Sequence, residues 1–95
     1  MAATMFIKHK VSDYRTWKPS YDGLGTVRKQ KGVTAASVHR DANEPNTIIV
    51  MHQFKDMNAA TDFARSEELK SAMAKAGVSD PPEIWFSEDI EHTPY

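Results

Sequence analysis

The chain has 95 residues, of which 12 are basic and 13 acidic, and it has a formal net charge of −1 and no cysteine. This length predicts a single domain over residues 1–95, and the lack of cysteine excludes disulfides and thiolate metal sites. No basic stripe of the kind that binds nucleic acid is visible, and no apolar run reaches the roughly 18 residues of a membrane span. The first residues lack the pattern of a secretory signal, so we expect a cytoplasmic protein.

The first strand is predicted over Met5–Val11, where apolar and polar residues alternate. Ile7, His9 and Val11 then share one face, while the opposite face carries two lysines. Because lysine is rarely buried, the face with His9 is expected to lie toward the helices.

A first helix is predicted over Ser12–Lys31, with Ser12 or Asp13 as its cap. Its apolar stripe, at steps of three and four, consists of Tyr14, Trp17, Tyr21, Leu24 and Val27 or Arg28. Pro19, Gly23 and Gly25 contradict the helix pattern. Proline inside a helix costs about 3 kcal/mol and each glycine roughly 1 kcal/mol, so a kink is expected near Lys18-Pro19. That kink is compatible with a mobile lid, a static bend, or a helix that restarts with Pro19 in its first turn.

A second strand is predicted around Ala35–Arg40 and a third over Thr47–Phe54, with a hairpin turn at Asn43–Asn46 between them. The third strand is rich in β-branched residues and apolar on both faces. Ile48, Val50, His52 and Phe54 occupy one of these faces, and Ile49 and Met51 occupy the other.

A second helix is predicted over Met57–Ala76, and a fourth strand runs roughly from Ile84 to Ile90. Phe63, Leu69 and Met73 point inward from this helix, whereas Glu67, Glu68, Lys70 and Lys75 point outward. Both helices are expected to end in the same way, at Gly32-Val33 and at Gly77-Val78, because glycine adopts the left-handed conformation at little cost.

Two successive strand-helix-strand units predict an α+β, ferredoxin-like β-α-β-β-α-β fold. Its four-stranded antiparallel sheet would carry both helices on one face. The other face would then expose a cluster of apolar side chains on the first, third and fourth strands: Phe6, Ile49, Met51 and Trp85. An apolar patch of this kind usually marks an interface, so we expect a homodimer.

Several segments resemble small bacterial proteins of the dimeric α/β-barrel superfamily. His9–Lys18 is similar to an opening pattern H-x-V-x-D-Y-x-x-W of proteins described as antibiotic-biosynthesis-monooxygenase-like or as small cyclases. Asn46 after Pro45, and Ser66–Val78 leading into Pro82-Glu83-Ile84, resemble the same group. The resemblance covers nearly the whole chain.

This resemblance implies a cavity between sheet and helices and a dimer whose two sheets face each other. It further implies a cofactor-independent monooxygenase or cyclase acting on an aromatic or polyketide-like small molecule, with no cofactor. In cyclase-like relatives a strand histidine acts as acid or base, often with a tyrosine partner. The alternative is a non-catalytic dimeric ligand-binding or stress-related protein, because one fold supports many functions.

The candidate catalytic residues are His9 and His52, since histidine titrates near neutrality. If both strands turn these residues toward the helices, the two imidazoles share one floor. The candidate ligand-binding residues are Tyr14, Trp17, Tyr21, Phe63 and Trp85. For each histidine the alternative is a buried ring satisfied by a hydrogen bond, and for the aromatic residues it is ordinary core packing. No metal site is expected, because stable zinc sites usually need three or four protein ligands.

Overall fold

The structure is a computed structural model, and it describes residues 2–75, 77–78 and 81–95. Its elements, in chain order, are β1 (Ala3–Lys10), α1 (Tyr14–Asp22), α2 (Gly25–Gln30), β2 (Val33–Arg40), β3 (Thr47–Phe54), α3 (Met57–Ala64), α4 (Glu67–Lys75) and β4 (Glu83–Glu88). Within the described ranges, none of the helices has the length and apolar character needed to cross a bilayer.

The four strands form one antiparallel sheet in the order β2-β3-β1-β4. The helices pack on one face of it, where Met5, Ile7 and Phe54 are almost completely buried. This is the ferredoxin-like α+β fold that the sequence predicts, with β1 and β3 in the centre. The predicted bounds of β3 are confirmed.

The first predicted helix is divided into α1 and α2, and the break lies at Gly23 and Leu24 rather than at Lys18-Pro19. Pro19 lies inside α1, and the helix continues past it because the Gly23 N–H still donates to the Pro19 carbonyl at 3.0 Å. Glycine is a poor helix former, so the chain leaves the helix there instead. Asp13 caps α1 by accepting from the Arg15 N–H at 2.8 Å.

The second predicted helix is also divided, into α3 and α4. Ser66 separates them: its hydroxyl donates to the Phe63 carbonyl at 2.7 Å and accepts from the Leu69 N–H at 3.2 Å. A serine hydroxyl that accepts such a bond starts a new helix. Phe63 and Leu69 are buried and Met73 packs against them, as predicted, whereas Ala76, the predicted last residue, lies outside the described residues.

The fourth strand ends at Glu88, two residues before its predicted end. Ile90, the predicted last residue of this strand, lies beyond it and is 92% exposed. Asp89, the residue after β4, is hydrogen-bonded to the sheet: its carboxylate accepts from Thr4 Oγ1 at 2.6 Å and from Gln53 Nε2 at 2.8 Å.

Both predicted glycine stops have the left-handed backbone that the sequence requires, with φ of +98° at Gly32 and +78° at Gly77. A side chain at such a φ costs roughly 1–2 kcal/mol. We therefore expect Gly32→Ala to lower the free energy of unfolding by about this amount in urea titrations. Gly25→Ala is the matched control, since a Cβ there meets only the Arg28 side chain at 3.8 Å. Equal stability of the two variants would contradict the argument.

Candidate functional site

A cavity of about 50 Å³ lies between the helix-facing side of the sheet and the helices. Its floor is formed by β1 and β3, through Ile7, His9, Val50 and His52. The rest of its lining belongs to the four helices and to the break between α1 and α2: Trp17, Ser20, Tyr21, Leu24, Val27, Arg28, Phe63, Glu68, Leu69, Ala72 and Met73. The lining is mostly apolar, with a few polar groups, which is typical of small-molecule sites.

His9 stands on this floor with both ring nitrogens buried and without a hydrogen-bond partner among the described residues. The side chain is 6% exposed, and its ring centroid lies 5.7 Å from that of Trp17. Burial lowers the pKa of His9 to about 4, because the charged form loses its hydration. The imidazole is therefore neutral at neutral pH.

His52 is 2% exposed and has one partner: its Nε2 lies 3.3 Å from the Tyr21 hydroxyl. Its Nδ1 is buried and has no partner among the described residues. Burial, and then the positive charge of Arg28, lower the pKa of His52 to about 4. Burial also raises the pKa of the Tyr21 hydroxyl, so the pair is neutral.

The strand register separates the two histidines along the sheet. His9 pairs with Ile48, whereas His52 pairs with Met5, four residues further along β3. A rise of about 3.3 Å per residue places their backbones roughly 13 Å apart. Because side chains stand roughly perpendicular to a sheet, both rings contribute to one floor but do not reach one reacting atom.

A continuous wall of rings connects the two histidines. Neighbouring ring centroids lie 5.7 Å apart from His9 to Trp17, 4.9 Å from Trp17 to Tyr21, and 6.1 Å from Tyr21 to His52. Phe63 extends the wall at 5.4 Å from His52. Of the predicted site residues, the structure therefore brings these five together.

The other two predicted ligand-binding residues do not line the cavity. Tyr14 contacts Trp17 at 6.0 Å, but its ring turns outward to β2, where the Arg40 guanidinium lies over it. Trp85 lies on the opposite face of the sheet, stacked on Phe6 at 5.2 Å. Ile84, the residue before Trp85 in β4, packs toward the helices. Because successive side chains of a strand point to opposite faces, Trp85 points away from the helices.

Two charged residues of the cavity were not among the predicted site residues. Arg28 lies over the Tyr21 ring, with its guanidinium carbon 3.7 Å from the ring centroid. Glu68, predicted to point outward, lines the cavity and forms an ion pair with Lys31 at 2.8 Å. In the sequence, the only signal for Arg28 was its place as an alternative to Val27 in the apolar stripe.

A wider depression of about 510 Å³ lies outside the cavity, between α1 and α4. The two spaces share four lining residues, so they adjoin at one mouth: Ser20, Leu24, Glu68 and Ala72. A molecule that enters from the depression therefore passes between α1 and α4 to reach the histidines.

In the part of the chain that is described, no group of three or more histidine, cysteine, aspartate or glutamate side chains is arranged to hold an ion.

The fold and the cavity together define a class: a small α+β domain with a mostly apolar site enclosed between a sheet and its helices. The sequence pattern of one family, "Antibiotic biosynthesis monooxygenase", matches residues 21–75, which is more than half of the chain. The chain belongs to this family. No curated protein gives a significant match.

Solved structures with the same fold cover almost the whole chain at low sequence identity. A putative antibiotic biosynthesis monooxygenase from Bordetella bronchiseptica is 11% identical, with a TM-score of 0.78, over 95% of this chain and 98% of that one. SnoaB, a cofactor-independent oxygenase from Streptomyces nogalater, is 13% identical, with a TM-score of 0.77, over 99% and 98%. A protein of unknown function from Nitrosomonas europaea is 17% identical, with a TM-score of 0.77, over 99% and 94%. At these identities the likeness shows the fold alone.

Proposed function

We propose that this protein is a cofactor-independent monooxygenase or cyclase that takes an aromatic or polyketide-like small molecule into the cavity. The observation that carries the proposal is the set of unpartnered ring nitrogens of His9 and His52 on the cavity floor. A buried polar atom without a partner costs about 1–3 kcal/mol, and folded proteins keep few of them. Hydrogen-bonding groups of a bound molecule would satisfy these nitrogens.

Oxygenation and cyclisation share a first step that suits this site, the loss of a proton beside a carbonyl group. A neutral imidazole accepts the proton, and the substrate becomes an enolate. In the oxygenation the substrate supplies the electrons, with the balance R₂CH₂ + O₂ → R₂C=O + H₂O. Burial holds the pKa of either histidine at about 4, but an enolate beside the ring would raise it, because opposite charges stabilise each other.

The size of the cavity implies that the helices must move for such a substrate to bind. Sites for drug-sized ligands occupy roughly 300–1,000 Å³, and this cavity is several times smaller. The break between α1 and α2 and the mouth between α1 and α4 lie on the same side of the domain, since Gly23 and Leu24 line the depression. We infer that α1 and α4 separate there when a ligand enters.

The test of this function uses His9→Ala, with His39→Ala as a matched control on the exposed surface of β2. Oxygen uptake and product formation are measured with anthrones and naphthols, and binding is measured separately by calorimetry without oxygen. Loss of general base catalysis lowers turnover by about 10²–10⁴-fold. We expect His9→Ala to show this loss while it still binds the ligand, and His39→Ala to match the wild type.

A non-catalytic binding protein is the second candidate, and the same histidines favour it in one respect. A ring with a pKa of about 4 is a weak base, although it forms hydrogen bonds well. If the anthrones and naphthols raise the melting temperature of the protein but none of them is turned over, the result would contradict the enzymatic function and support the binding protein.

We also propose that the protein is a homodimer in which the outer sheet faces of two copies meet. The support is the Phe6–Trp85 ring stack, at 5.2 Å and an interplanar angle of 8°, on the face without helices. Trp85 is 43% exposed in the single chain, and a second copy would cover it. Large aromatic side chains of this kind commonly anchor interfaces.

A further inference from the structure

Arg28 carries a positive charge at the wall of the cavity, beside the Tyr21–His52 pair. Its guanidinium lies over the Tyr21 ring, and one of its N–H groups donates to the Tyr21 carbonyl. Four other N–H groups remain on the guanidinium, since arginine has five. The side chain is half-buried and lines the cavity together with both of these neighbours.

The carboxylates near Arg28 are engaged with other cations. Asp22 forms an ion pair with Lys18, and Glu68 forms one with Lys31. Among residues 2–75, 77–78 and 81–95, no carboxylate forms an ion pair with Arg28. A partly desolvated guanidinium without a carboxylate is poised to accept an anion from outside the chain, and its fork matches a carboxylate.

We propose that Arg28 determines specificity for an acidic planar molecule, whose carboxylate or phenolate binds the guanidinium while its ring lies along the Trp17–Tyr21 wall. The proposal rests on the proposed function, because it names the substrate class of the same cavity. The unpartnered Nδ1 of His52, on a side chain only 2% exposed, supports it, since a polar group of the ligand would satisfy this atom. Arg28 would hold the substrate, and the histidines would act on it.

This geometry also selects the charge of the ligand. His9, His52 and Tyr21 are all neutral at neutral pH, so they neither repel nor neutralise an anion. Glu68 is the one carboxylate that lines the cavity among the described residues, and its charge is balanced by Lys31 at 2.8 Å. The net charge of the groups that line the cavity is therefore that of Arg28.

The test compares salicylate with its neutral isostere salicylamide, by calorimetry near neutral pH and without oxygen. A hydrogen bond to a charged group corresponds to a factor of about ten or more in affinity. We expect the wild type to bind salicylate at least about tenfold more tightly than salicylamide, and Arg28→Gln to lose this preference while its affinity for salicylamide stays the same. Arg28→Lys should keep part of the preference. Lys29→Gln, which removes an exposed charge next in sequence, should keep all of it.

Histidine ring spectra by NMR show where the ligand binds. Salicylate should shift the ring signals of His9 or His52, and leave those of His39 and His92 unchanged. The proposal is overturned if neither compound binds at millimolar concentration, if both bind equally to the wild type, or if Arg28→Gln keeps the preference. Because no turnover is measured, a protein that binds salicylate through Arg28 but fails the oxygen-uptake test would contradict the enzymatic function and leave the role of Arg28 supported.

Discussion

We expect the free energy of unfolding to fall steeply as the pH falls from 6.5 to about 4. The first value is the ordinary pKa of histidine, and the second is the pKa of His9 and His52 in the folded chain. In this interval the unfolded chain binds a proton on each histidine, whereas the folded chain keeps both rings neutral. Each histidine thus contributes stability above pH 6.5 that is lost as the pH falls through about 4. A shift of this size corresponds to roughly 3 kcal/mol for each ring.

The combined loss of about 6 kcal/mol is comparable with the whole stability of a typical domain, roughly 5–15 kcal/mol. The measurement is a series of urea titrations at several pH values. His52→Gln should reduce the slope of stability against pH by about half, because one of two protons no longer contributes.

Three carboxylates contribute mainly at the acid end of this interval and below it. Hydrogen bonds and ion pairs hold the pKa values of Asp13, Glu68 and Asp89 below their ordinary values of 3.8, 4.5 and 3.8, so the stability that they contribute is lost as the pH falls below those values. Constant stability from pH 6.5 down to about 4 would show that the two histidines are solvated or paired in solution.

We expect Trp85→Glu to convert the proposed dimer into monomers, because it places a charge on the outer apolar face beside Phe6. Loss of a buried aromatic residue from an interface costs roughly 2–4 kcal/mol of binding energy, which weakens a dimer by about 30- to 1,000-fold. Sedimentation at micromolar concentration measures the change, against the 10.7 kDa mass of one chain.

Trp85→Phe is the matched control for this variant, since it keeps an aromatic ring against Phe6. It should remain dimeric, and circular dichroism should show the same fold for both variants. A wild-type protein that sediments as a single chain would contradict the dimer, and so would a Trp85→Glu variant that sediments as the wild type does.

The strands were predictable because their signal is local. Alternation along β1 placed His9 on the buried face, and the bounds of β3 agree with the sequence pattern. Both glycine stops were predictable for the same reason, since a positive φ selects glycine wherever the helix ends. The helix breaks were not predicted at these positions, because the apolar periodicity continues through Gly23 and Ser66. The structure shows that the low helix propensity of glycine and a serine cap end the periodic helix there.

For the cavity, the sequence by itself determined which residues of each strand share a face. A period of two places Ile7 with His9 on β1 and Val50 with His52 on β3, and this follows from strand geometry alone. Only the tertiary structure decided how these residues meet, because the register between β1 and β3 is a property of two strands, not of either one. That register sets the separation of His9 from His52. The contact of Tyr21 with His52 and the position of Arg28 over Tyr21 depend instead on how α1 and α2 lie across the sheet.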